Sequence, residues 1–145
     1  MSELYAEVEI DASAKKVWDI LMDFDKYPEW NPFIKSIRGS AEIGSRLEVV
    51  MQPEGRKPTT FKPKVLANQP YEEFRWLGKL LIPGIFDGEH IFLIESLDEN
   101  RVKFVQQENF KGVLAPSIMK SIGDVTQLAF AAMNEALKQR AEKPA

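Results

Sequence analysis

No cysteine occurs in this 145-residue sequence, so disulfides, thiolate nucleophiles and thiolate-held metals are all excluded. Histidine occurs once, which rules out a multi-histidine zinc site. No window approaches the ~18 uninterrupted apolar residues of a membrane-spanning helix. A basic tract is missing too: 19 basic against 22 acidic residues give a net charge of −3. Phosphate recognition needs a concentrated cationic surface, so no nucleic-acid partner is expected, nor attachment to anionic lipid through charge alone. Glycine-rich phosphate loops are absent, and Ser13, Ser117 and Ser121 lack a histidine at a spacing that would make a triad. The scattered carboxylates suggest no metal cluster, and no cofactor is expected. Residues 1–7 are acidic and alternating, unlike a secretory leader, which makes cytoplasm the expected compartment.

What is present is ordinary for one globular domain: 44% hydrophobic and 28% charged residues, without repeats or linkers. The domain is expected over residues 1–141, with 142–145 as a frayed tail. Leu4, Ala6, Val8 and Ile10 alternate with Tyr5, Glu7 and Glu9, the period of a half-buried strand. Asp11 and Ser13 offer caps to a helix starting near Ala14, whose stripe is Val17, Leu21 and Phe24. Pro28 and Pro32 stop that helix and leave room for a tight turn or a second, very short helix. Strand patterns follow at 33–40, 46–52, 59–68, 71–79, 88–97 and 101–110. In the last long segment, Ile118, Ile122, Val125, Ala129, Met133 and Leu137 recur at three- and four-residue steps from Pro116 to Arg140. Gly123 interrupts this helix at a cost of about 1 kcal/mol relative to alanine.

The order is strand, two short helices, six strands, long helix. It predicts an α+β fold in which a curved seven-stranded antiparallel sheet wraps around the C-terminal helix. A flat sheet would leave an apolar face uncovered. An incomplete fit between the curled sheet and the helix leaves a cavity, with an expected volume of about 300–1,000 Å³.

Four stretches carry a resemblance: Val17-Trp18-Asp19-Ile20-Leu21, Tyr27-Pro28-Glu29-Trp30-Asn31-Pro32, Gly88-Glu89-His90-Ile91-Phe92 and Gln107-Glu108-Asn109-Phe110-Lys111-Gly112. In this order the chain resembles the START-related polyketide cyclase/dehydrase and lipid-transport superfamily over nearly its whole length. The resemblance implies the helix-grip fold. It implies no shared catalytic set, because members include aromatase/cyclases, carriers of hydrophobic ligands, quinone-binding proteins and chaperone co-activators. The 28–32 run reads as packing of the short helices on the sheet.

Register around the turn at 98–100 gives the sharpest expectation. If Leu97 opposes Arg101, then Ile94 faces Phe104, Phe92 faces Gln106 and His90 faces Glu108. These residues and Phe110 then share one face, which its apolar members mark as interior. His90 and Glu108 would form the polar end of a pocket or an acid/base pair. The alternative is a self-satisfied cross-strand pair that touches no ligand. The protonation state of His90 stays open.

Trp76 on a neighbouring strand, and Met119, Ile122, Thr126 and Phe130 on the long helix, complete the expected pocket wall, with ordinary core as the competing role. Leu80, Leu81, Ile82, Ile85 and Phe86 sit among glycine and proline in an apolar connection. It reads either as a lid touching a membrane or a partner during ligand exchange, or as a loop folded onto the helix. Lys62, Lys64 and Arg75 fall on the solvated outer face.

Three functions remain in play. The first is binding or transport of a small hydrophobic molecule, lipid-, polyketide- or quinone-like. The second is a cyclase/dehydratase-type enzyme using His90 and Glu108. The third is a protein-interaction module resembling chaperone co-activators, with the 80–86 loop as interface.

Overall fold

The computed structural model describes residues 2–80 and 84–144, with only the backbone of Ser2 and Leu80. Strand β1 (Ser2–Ile10) has Leu4 and Ile10 buried while Glu3, Tyr5, Glu7 and Glu9 face solvent, as alternation requires. Ser13 caps helix α1 (Ala14–Met22), its hydroxyl accepting from Lys16 N–H at 3.1 Å. Val17, Trp18 and Leu21 are the buried stripe of α1. A single 3-10 turn at Phe24–Lys26 leads into the short helix α2 (Tyr27–Trp30).

The segment at 27–31 is a joint held by buried polar groups. The Tyr27 hydroxyl donates to the Leu21 carbonyl at 2.7 Å, satisfying an acceptor that the end of α1 leaves without a helical partner. Burial pushes the Tyr27 phenol well above its ordinary range, so it stays a donor. Asn31, itself buried, accepts from Phe33 N–H and Ile34 N–H at 2.9 and 2.8 Å and so launches β2 (Ile34–Arg38). Tyr27→Phe deletes a buried donor and orphans that carbonyl. It should lower unfolding free energy by about 1–2 kcal/mol in urea titration, with the slope of the transition unchanged.

Strands β3 (Glu48–Met51), β4 (Thr59–Phe61), β5 (Lys64–Gln69), β6 (Glu73–Leu80), β7 (Phe86–Asp98) and β8 (Arg101–Lys111) follow. All pairings are antiparallel, in a five-stranded sheet β1-β8-β7-β6-β5 and a three-stranded sheet β2-β3-β4. The expected single sheet of seven strands is therefore corrected to five plus three. The segment expected as one strand at 59–68 is divided at Pro63, which has no N–H for a ladder. Around the break Leu47 N–H donates to the Pro63 carbonyl and Val65 N–H to the Ser45 carbonyl, both at 2.9 Å, so the two sheets continue one curved surface.

Helix α3 (Ala115–Glu142) lies across the concave side. Its second half is bound to β1 and to the short helices. Gln127 exchanges hydrogen bonds with the Tyr5 backbone, Lys138 donates to the Glu9 carbonyl at 2.9 Å, and Arg140 meets Glu29 at 3.1 Å. Fraying was expected from residue 142, but Glu142 is helical and accepts from Asp11 N–H at 2.8 Å. That N–H, aided by the Lys138 ammonium, holds the Glu142 carboxyl below its ordinary range.

Candidate ligand-binding cavity

Along α3 the apolar stripe changes character at Ala129. Ala129, Phe130, Met133, Leu137 and Ala141 are buried, whereas Ile118, Ile122 and Val125 are only half-buried. Beneath that first half a cavity of about 520 Å³ opens between the helix and the two sheets. Ile122, Val125 and Thr126 form its roof, and Trp76, Phe86, Glu108 and Phe110 line the five-stranded sheet side. Phe33, Val49, Met51 and Phe61 close the opposite wall. The hairpin at 53–57, with Arg56 and Lys57 exposed, forms a rim where the cavity meets solvent.

One polar group projects into this wall from β8, and a buried relay stands behind it. Glu108 lies opposite His90, and its Oε1 is 3.3 Å from His90 Nδ1, too oblique for a good hydrogen bond. Gly88 makes the space: a Cβ there would meet Glu108 Oε2 at 2.5 Å. His90 Nε2 is 3.0 Å from Gln106 Oε1, and Gln106 Nε2 donates to Asn134 Oδ1 at 2.7 Å and to the Phe130 carbonyl at 3.4 Å. A carbonyl can only accept, so it fixes the Gln106 amide with its nitrogen toward α3 and its oxygen toward histidine. His90 Nε2 is thereby the N–H donor, and Nδ1 is the atom turned to Glu108. The imidazole is fully buried, stacked 4.3 Å from Phe92 and 5.0 Å from Phe130.

The register around 98–100 places His90, Phe92 and Ile94 opposite Glu108, Gln106 and Phe104. At the turn itself Asp98, not Leu97, pairs with Arg101 across an irregularity, and Leu97 is exposed. The shared face divides along its length. Glu108 and Phe110 reach the cavity with Trp76, Ile122 and Thr126. His90, Phe92, Ile94, Phe104, Gln106 and Phe130 lie in the packed core below it. Met119 packs on the core and is not part of the lining.

Of the apolar connection, Leu81 and Ile82 lie outside the described residues, as does the side chain of Leu80. Phe86 stacks on Phe110 at 5.2 Å and lines the cavity, while Ile85 is half-buried. Their backbone is strapped to the start of α3: Val113 N–H donates to the Gly84 carbonyl and Leu114 N–H to the Ile85 carbonyl, both at 3.0 Å. Gly112 permits this approach, because at φ +123° a Cβ would sit 2.3 Å from the Ile85 oxygen.

Sequence reasoning missed Asn134 and the rim pair Arg56 and Lys57. Asn134 had a signal, a polar residue within the buried stripe 130, 133, 137. The rim pair had none, since a polar hairpin reads as a loop wherever it folds. Among the described residues no three histidine or acidic side chains converge as metal ligands, and no helix is long and apolar enough to cross a membrane.

A curved antiparallel surface gripping a long C-terminal helix, with a hollow between them, defines the helix-grip class of START-like proteins. The chain belongs to the polyketide cyclase / dehydrase and lipid transport family, whose model matches residues 1–142. Among solved structures it is similar to the ZhuI aromatase/cyclase from Streptomyces sp. R1128, with TM-score 0.78 and 17% identity over 97% of this chain and 93% of that one. A START superfamily protein from Mycobacterium smegmatis gives TM-score 0.71 and 23% identity, covering 97% of both chains. Norcoclaurine synthase from Thalictrum flavum, in complex with dopamine and hydroxybenzaldehyde, gives 0.73 and 16% over 99% of this chain and 89% of that one. At such identities the likeness speaks to the fold. None of the curated proteins matches the chain by sequence.

Proposed function

We propose that the protein binds a small hydrophobic molecule in the hollow between the sheets and the first half of α3. The supporting observation is the cavity of about 520 Å³, walled mainly by aromatic and aliphatic side chains. Its size falls in the range of about 300–1,000 Å³ typical of ligand sites. Ile122 and Val125 are half-buried and line the hollow, so a guest there would add to their packing. The test fills the space. The wild type should take up naphthalene one-to-one, read by quenching of tryptophan fluorescence, and Ile122→Trp should weaken uptake at least about tenfold while keeping the native circular dichroism. Uptake that is absent in the wild type, or indifferent to Ile122→Trp, would sink the reading.

A second reading, an enzyme of the cyclase/dehydratase type, is supported by Glu108 standing on the cavity wall with His90 behind it. Glu108 would then be the group that exchanges a proton with the substrate, and His90 would position it. Glu108→Gln should leave naphthalene uptake intact and remove turnover on any substrate found. Retained turnover would exclude this chemistry.

A further inference from the structure

Six lining side chains carry polar atoms: Arg56, Lys57, Thr59, Trp76, Glu108 and Thr126. The two ends of the hollow differ in hydrogen-bonding sense. The Thr126 hydroxyl donates its one proton to the Ile122 carbonyl at 2.9 Å, so only its lone pairs face outward. Glu108 turns Oε1 toward His90 and leaves Oε2 against Gly88, on the cavity side. Glu108 and Thr126 therefore offer acceptors at the inner end, with the Trp76 indole N–H as a donor on the same sheet wall as Glu108. The rim is the opposite: Arg56 and Lys57 are cations, and among the described residues neither is held in an ion pair. Aromatic rings of Phe33, Phe61, Trp76, Phe86 and Phe110 stand between the two ends.

Resting on the binding function proposed above, we infer that the ligand is an aromatic or alicyclic hydroxy acid. It enters with its hydroxyl leading to Glu108 and Thr126 and its carboxylate trailing at Arg56 and Lys57. A carbonyl or carboxylate facing Glu108 and Thr126 would set lone pairs against lone pairs. A hydroxyl instead donates to Oε2. At the half-open rim an anion meets two positive charges with little desolvation, so this end adds affinity that salt can screen.

Four probes of one shape separate the contributions: naphthalene, 2-naphthol, 2-naphthoate and 6-hydroxy-2-naphthoate, each titrated into the intact protein by fluorescence. The hydroxy acid should bind about tenfold tighter than 2-naphthoate, one added hydrogen bond, and tighter than 2-naphthol. Thr126→Val and Glu108→Met should erase the advantage of the hydroxyl. Arg56→Ala with Lys57→Ala should erase only that of the carboxylate, together with its salt dependence. Because Glu108 also faces a buried imidazole, its replacement could unfold the chain. Thr126→Val and the exposed rim pair keep the test decisive in that event. If all four probes bind within a factor of two, or 2-naphthoate binds as well as the hydroxy acid, the polarity inference is overturned while hydrophobic binding stands. If not even naphthalene binds, the underlying function falls and the inference with it.

Discussion

Phe130→Ala should destabilise the protein by about 3–5 kcal/mol, the range for truncating a fully buried aromatic ring. Phe130 is wholly buried where α3 passes from packed core to open cavity, 5.0 Å from the His90 ring and 5.7 Å from Phe33, a cavity wall residue. Its ring packs on the imidazole and on Phe33, which lines the hollow. Removal is expected to extend the hollow toward His90, so the loss of stability should come with exposure of the imidazole. As the chain has one histidine, acylation by diethyl pyrocarbonate located on that residue by peptide mass spectrometry reports the exposure. Modification should be slow in the wild type and fast in the variant under conditions where both are folded. A stability loss without faster modification would mean that α3 closes down and no channel forms.

The second large effect concerns the relay behind Glu108. Gln106→Leu removes the acceptor of the His90 N–H and the donor to Asn134 in one step, at a site with no solvent access. Each orphaned group costs about 1–3 kcal/mol, so a total near 3 kcal/mol is expected in denaturant titration after the gain from added apolar volume. Adding Asn134→Leu should recover part of that loss, because it removes one of the two orphans. Losses that simply add would show that the Gln106–Asn134 contact contributes little to the fold. Through this network Gln106 Oε1 accepts from His90 Nε2, and Nδ1 is turned toward Glu108. The same double variant should therefore change the imidazole nitrogen shifts seen by NMR, which a loss of packing alone would leave in place.

The sequence spoke most clearly wherever one periodicity governed an element. The alternation of β1, the turn at 98–100 and the stripe from Ile118 to Leu137 lead directly to the curved sheet, the β7–β8 register and the long helix. That register alone sets Glu108 and His90 side by side. It could not say how far along the face the hollow extends, because this depends on where α3 lifts away. His90, Gln106 and Phe92 consequently read as wall residues although they lie beneath the floor. The break at Pro63 was visible as a proline inside a strand pattern, but lysines on both sides preserved the alternation and concealed it. The Gln106–Asn134 bond joins residues from different elements, and single-residue patterns carry no information about such a meeting. Arg56 and Lys57 belong to the rim only because β3 and β4 carry their hairpin over the entrance.

Helix α3 is fastened at both ends, packs on the core along its second half, and spans the hollow with part of its first half. One extremity is fastened by the Lys138, Arg140 and Glu142 contacts, the other by the backbone strap at 84–85 and 113–114. Between them Ile122, Val125 and Thr126, with Gly123 among them, lie over the hollow. An isolated helix is firmest at its centre and melts inward from its tips. Here local opening is expected to be cheapest over the hollow, and an occupant below would stiffen that stretch first.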